Sequence, residues 1–86
     1  MEFQWNIEAK KNFDAIVASL PQFHRTIAQR LVKEKSEELA RGRGSQTVEI
    51  KDVISAFFQE VPPAFKEMMK RLMVQHNIDY SPYIHE

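Results

Sequence analysis

The segment that most constrains this chain lies between a Gly-Arg-Gly loop and a double proline. Ile50, Val53, Ile54, Phe57 and Phe58 recur at spacings of 3, 4, 7 and 8, which lays five large apolar groups along one helical face. A face this dense has to be covered, so the other elements must close over it. Acidic Glu49 and Asp52 near its start suit a helix N-terminus, whose free amides and dipole favour negative side chains. Val61-Pro62-Pro63 ends it, because two prolines remove two amide donors. The predicted helix therefore runs from Ile50 to that stop.

The rest of the chain reads as partners for this helix. Phe13, Ile16, Val17 and Leu20 repeat at helical spacing after Asn6 and Glu8, predicting a helix over Ile7–Ser19. Ahead of it, Met1, Phe3, Trp5 and Ile7 alternate with polar residues, as a short extended lead-in would. Pro21 pushes Leu20 out of the helical region and starts a new helix. That helix carries Phe23, Ile27, Ala28, Leu31, Val32, Leu39 and Ala40 and lasts to about Arg41, the longest element, with Phe23 and Leu39 read as core-facing. Gly42 and Gly44 can take left-handed backbone angles and stop it. Thr47–Ile50 is a short extended piece. Pro63 is well placed to open a fourth helix, along which Phe65, Met68, Met69, Leu72 and His76 keep the period. Asn77 can cap it in the left-handed region, followed by an irregular tail through Tyr80-Ser81-Pro82-Tyr83. The expectation is an all-α domain spanning 1–86, with three main helices, a fourth after the prolines and a tail packed on the surface.

Composition narrows the function. Eighty-six residues suit one small domain, and 43% hydrophobic with 28% charged residues is a globular balance. Stability should be about 4–13 kcal/mol, which leaves little to support a strained active site. Zero cysteines remove a disulfide framework, a thiolate nucleophile and Cys-ligated zinc or iron–sulfur clusters from this chain. No apolar run approaches membrane-span length and the start lacks the order of a signal peptide, so a cytoplasmic protein without a membrane segment is expected.

Candidate chemistry is sparse. His24, His76 and His85 show no His-x-x-x-His or Glu-x-x-His spacing, so no metal site is predicted. Glu37 and Glu38 project about 100° apart on a helix and do not form a carboxylate dyad. No serine lies in a Gly-x-Ser-x-Gly context, and neither glycine builds a phosphate loop. No catalytic residue and no cofactor is assigned, and a self-contained enzyme is disfavoured. Arg25, Arg30, Lys33, Lys35, Arg41 and Arg43 outnumber Glu34, Glu37 and Glu38 between residues 25 and 44, giving that segment a net charge of +3. Such a stretch could meet phosphates through Arg25, Arg30, Lys33, Arg41 and Arg43. Arg30–Glu34, Lys33–Glu37 and Glu37–Arg41 are also spaced i,i+4, however, and can neutralise one another on the helix surface. The overall charge of zero further disfavours a polyanion binder. Met68, Met69 and Met73, beside Phe65 and Leu72, form either core or a soft, adaptable interface.

Four motifs in order carry a resemblance: Trp5-x-x-Glu8-Ala9, Leu20-Pro21-x-Phe23-x-Arg25, Glu37-x-Leu39-Ala40-Arg41 and Val48-x-x-x-Asp52-Val53-x-x-Ala56. Over about residues 5–58 the chain resembles the small C-terminal domain of the light-independent protochlorophyllide reductase B subunit and its stand-alone relatives. The Trp-to-Pro and Pro-to-Glu intervals are each about four residues longer here, close to one helical turn, which preserves the apolar face. That family's cluster cysteines and main substrate pocket lie elsewhere in the subunit and have no counterpart in this chain. The resemblance therefore implies an accessory, non-catalytic module beside a tetrapyrrole-reducing oxidoreductase. It makes Trp5, Phe23 and Arg25 structural or interface residues, and says nothing of contact with the tetrapyrrole itself. A protein partner or a homo-oligomer is the expected associate, with Trp5, Phe23, Arg25, Met68, Met69 and Met73 as interface candidates. The long helix followed by Thr47-Val48-Glu49-Ile50 and Lys51-Asp52-Val53-Ile54-Ser55-Ala56 also looks like the second half of a histone fold, the alternative being a weak nucleic-acid-binding or self-associating module. Neutral charge argues against the nucleic-acid form.

Overall fold

The computed structural model describes residues 3–83; Met1, which opens the alternating lead-in, and His85 lie outside them. The architecture is all-α. In chain order the elements are β1 (Gln4–Trp5), α1 (Ile7–Ser19), α2 (Gln22–Gly42), β2 (Thr47–Val48), α3 (Ile50–Glu60), a 3-10 turn at Pro63–Phe65 that leads into α4 (Lys66–Gln75), and a second 3-10 turn at Ser81–Tyr83. The long α2, of 21 residues, is the central helix.

Each boundary has a local cause. Asn6 Oδ1 accepts the Glu8 amide at 2.9 Å and so satisfies a free donor of α1. Leu20 is extended ahead of Pro21 (φ −80°, ψ 154°), and the chain turns there. At the end of α2 the Ser45 amide reaches the Ala40 carbonyl and the Gly44 amide reaches the Arg41 carbonyl, both at 2.9 Å. This double closure requires a left-handed residue, and Gly44 supplies it at φ +77°. Gly42 does not take that conformation; it stays within α2. α4 closes the same way, with Ile78 N–H on the Met73 carbonyl at 2.8 Å and Asn77 at φ +60°. At the start of α3 the Asp52 carboxylate accepts the Glu49 amide at 2.9 Å, one half of a capping box.

α3 is the hub of the core. Val53, Ile54 and Phe57 are at most 1% exposed and meet Phe13 and Ile16 of α1, Val32 and Ala40 of α2 and Met69 and Met73 of α4. Ile78, just past the α4 cap, closes the bottom of this cluster. The lead-in does more than extend: β1 pairs in parallel with β2, Gln4 opposite Thr47 and Trp5 opposite Val48. This pairing joins segments more than 40 residues apart, which no local pattern could announce.

Two expectations differ from the structure. Phe23, read as core-facing, is 76% exposed. It lies in the first turn of α2, beyond the end of α3, so no second layer covers it. Met69 and Met73, interface candidates, are wholly buried against α3 and cannot meet a partner. The fourth helix turns its methionine stripe inward because α3 presents apolar groups toward it as well as toward α2.

Candidate functional site

Part of the exposed apolar surface is clustered. Ile7 of α1 and Val74 of α4 are exposed at 87% and 63% elsewhere on the surface, whereas Phe23, Ile27 and Phe65, at 76%, 54% and 38%, lie near one another, and Ile27 and Phe65 line a groove of about 120 Å³ between the first half of α2 and the Pro62–Met68 segment. Leu31, Val61 and Met68 form its floor and walls, with Glu60 and His24 as its ionisable members. Phe23 stands beside it, its ring 4.1 Å from that of His24, which in turn lies 5.7 Å from Phe65. The double proline is what makes the groove: it ends α3 before the chain can run on beside α2, and the 3-10 turn swings Phe65 back toward α2. Arg25 stands in the same part of α2 and is tied down, its Nε donating to the Leu20 carbonyl at 2.8 Å across the α1–α2 turn.

The basic residues do not form one surface. Arg43 grips the buried Asp52 carboxylate bidentately, with Nε 2.9 Å from Oδ1, and also reaches Glu49 at 3.4 Å. The Asp52 hydrogen bond is the main reason that the Arg43 pKa is raised. Arg43 thus fastens the α2 end to the α3 start, with its Nε and Nη2 donors turned to Asp52 and Glu49. Lys33 pairs with Glu37 at 3.1 Å. The expected Glu37–Arg41 pair is not formed; the Arg41 guanidinium lies 5.2 Å over the Phe3 ring. Arg30 makes no hydrogen bond or ion pair among the described residues, and its expected pairing with Glu34 does not form.

Trp5, distant in sequence from Glu37 and Arg41, lines with them one cleft of about 360 Å³ between β1, α1 and α2. Trp5 Nε1 donates to Glu37 Oε2 at 3.1 Å, and its ring packs 5.1 Å from Phe13. Glu38 points elsewhere, to Lys35 at 3.6 Å. A third, polar cleft of about 610 Å³ lies where α1 meets the α4 cap, lined in part by Glu8, Lys11, His76 and Asp79. Near it Ser19 Oγ sits 3.2 Å from His76 Nε2, but the hydroxyl donates to the Ala15 carbonyl at 3.0 Å. A nucleophile relay would need that proton facing the imidazole and a carboxylate behind the ring; among the described residues no carboxylate bonds His76. Likewise, no three His, Asp or Glu side chains among the described residues stand close enough to share a metal ion. No helix of the described residues is long and apolar enough to cross a membrane.

The match that decides the family covers residues 2–86, nearly the whole chain, and its description is "Protein of unknown function (DUF2621)". The chain belongs to the DUF2621 family. No curated protein and no solved structure matches it. In this DUF2621 chain the exposed groove has no local sequence signature. Ile27 and Phe65 had been absorbed into helical stripes, and only the way that the double proline ends α3 leaves them uncovered.

Proposed function

We propose that this chain is a protein-interaction module, not catalytic alone, and that it docks on a partner polypeptide through the groove flanked by Phe23, Ile27 and Phe65. The single observation that carries this reading is that three large apolar side chains stay exposed together around an apolar groove, whereas the strongly exposed Ile7 of α1 and Val74 of α4 lie outside it. Aromatic anchors of this kind supply most of the energy of small interfaces. The resemblance to the reductase C-terminal domain supports the nature of the partner: an oxidoreductase subunit that presents a helix with a large apolar anchor, in the cytoplasm. Of the residues that carry the resemblance, Phe23 stands at the groove and Arg25 braces the turn that presents it.

A second reading, self-association through the same face, is favoured by the placement of Phe23. A protruding ring beside a groove is a knob next to a hole, and two copies related by a twofold axis could exchange them. Sedimentation of the purified chain over a concentration series, together with capture from native lysate, separates the two, with Phe23→Ser as the control in both. A monomer that retains oxidoreductase subunits as wild type and loses them as Phe23→Ser supports the first reading. A dimer abolished by Phe23→Ser supports the second. Identical behaviour of wild type and variant in both measurements contradicts docking through the groove.

A further inference from the structure

The cleft between β1, α1 and α2 has a composition that its structural role does not require. One wall is aromatic: Phe3, Trp5 and Phe13, with Trp5 and Phe13 centroids 5.1 Å apart. The other lining groups are Lys10, Lys33, Arg41 and a single carboxylate, Glu37. That carboxylate is engaged through Oε2, which accepts both the Trp5 indole at 3.1 Å and the Lys33 ammonium at 3.1 Å. Lys10 is paired with Asp14 at 2.9 Å. Arg41 is different. Glu37 and Glu38 lie at i−4 and i−3, within ordinary helical reach, yet the guanidinium lies over the Phe3 ring and forms no ion pair among the described residues. Its planar fork of donors therefore keeps its capacity for an anion while it sits against an aromatic wall.

We infer that this cleft is a binding site for a small planar aromatic anion, a flat ring that carries a carboxylate or phosphate. The ring would pack against Trp5 and Phe3, and the anionic group would be taken by Arg41, with Lys33 and Lys10 adding to the local positive potential. With Lys10 paired to Asp14 and Lys33 to Glu37, Arg41 leaves the cleft with one positive charge in excess within a chain that is neutral overall, so the attraction is local. At about 360 Å³ the space falls at the small end of ligand pockets. Glu37 acts as a positioning residue: it fixes the indole edge and the Lys33 head in place before any ligand arrives. This site is separate from the docking groove, shares no lining residue with it, and stands or falls independently.

Trp5 is the chain's single tryptophan, so its indole N–H gives one NMR signal that reports on the cleft directly. The probes are adenosine 5′-monophosphate and 2-naphthoate, each titrated against its uncharged counterpart, adenosine and 2-naphthamide, with inorganic phosphate alone as the test of charge without a ring. The expected result is a saturable shift of the Trp5 signal by at least one ring-bearing anion, with affinity about tenfold above its neutral counterpart and above phosphate, as one charge-assisted contact implies. Arg41→Gln, an exposed helical position whose folding is checked by circular dichroism, should reduce that affinity by about tenfold. The inference is overturned if neither anion exceeds its neutral counterpart. It is equally overturned if Arg41→Gln binds as wild type does, or if the shifts centre on Ile27 and Phe65 instead of Trp5.

Discussion

Ser36 sits in the middle of α2 with no exposed surface, and its hydroxyl is buried with no hydrogen-bond partner among the described residues. A buried serine in a helix ordinarily bonds back to the carbonyl four residues earlier; here that bond is absent. The hydroxyl therefore carries a desolvation cost of about 1–3 kcal/mol with nothing to offset it. Ser36→Ala removes the cost, keeps the Cβ and gains about 0.5 kcal/mol of helix propensity. It also leaves a gap of one atom, whose lost dispersion contacts take back a part of a kcal/mol. The net expectation is a gain of about 1–2 kcal/mol, which for a domain of this size raises Tm by about 4–8 °C per kcal/mol. Urea unfolding followed by circular dichroism, with the slope unchanged so that the midpoint shift reads as stability, is the assay. A midpoint that falls would mean that the hydroxyl is bonded in solution and carries no such cost.

Other consequences are as direct. Met69→Asp should unfold the chain, since Met69 is fully buried and an unpaired carboxylate there costs several kcal/mol out of a total of about 4–13; a folded variant by circular dichroism would mean that α4 does not pack inward. Asn77 holds φ +60° at the α4 cap, so Asn77→Ala should lower stability by about 1–2 kcal/mol, whereas Asn77→Gly should be neutral or better. Equal melting temperatures for these two variants would remove the left-handed cap. Asp79 has its pKa lowered, first by the Ser81 hydroxyl and then by the Ser81 amide. Because its folded value lies below the unfolded one, its contribution is complete above the ordinary carboxylate range near pH ~4 and is lost as pH falls through the folded value. The Ser81 amide signal should move with that titration; if it stays fixed while Asp79 protonates, the turn does not depend on the carboxylate.

What could be read from the sequence follows from how local each signal is. The bounds of α1 and α3 were legible because Asn6, Pro21, Glu49 and Pro62 act on their immediate neighbours. Asn77 was legible because few residues other than glycine accept a positive φ. The double proline was read as a stop, but the groove that it opens depends on where α4 turns back. The exposure of Phe23 depends on α3 ending short of it. The stripe on α4 could face inward or outward by periodicity alone, and only the second apolar side of α3 decides between them. Arg43 looked like one charge in a basic run, and its role depends on Asp52, nine residues away across the loop. Trp5 and Glu37 meet only because β1 pairs with β2, a contact between chain segments with no local signature.

The central claim is that the Phe23 face meets another polypeptide. A photo-reactive phenylalanine analogue placed at Phe23 tests it inside the native cell, with the same analogue at Ile7 as the control, since Ile7 is 87% exposed but lies outside the groove. Position 23 should give a discrete protein adduct and position 7 none, and the adduct's mass distinguishes a second copy from a different subunit. An adduct from position 7 alone, equal adducts from both positions, or none from position 23 would contradict it.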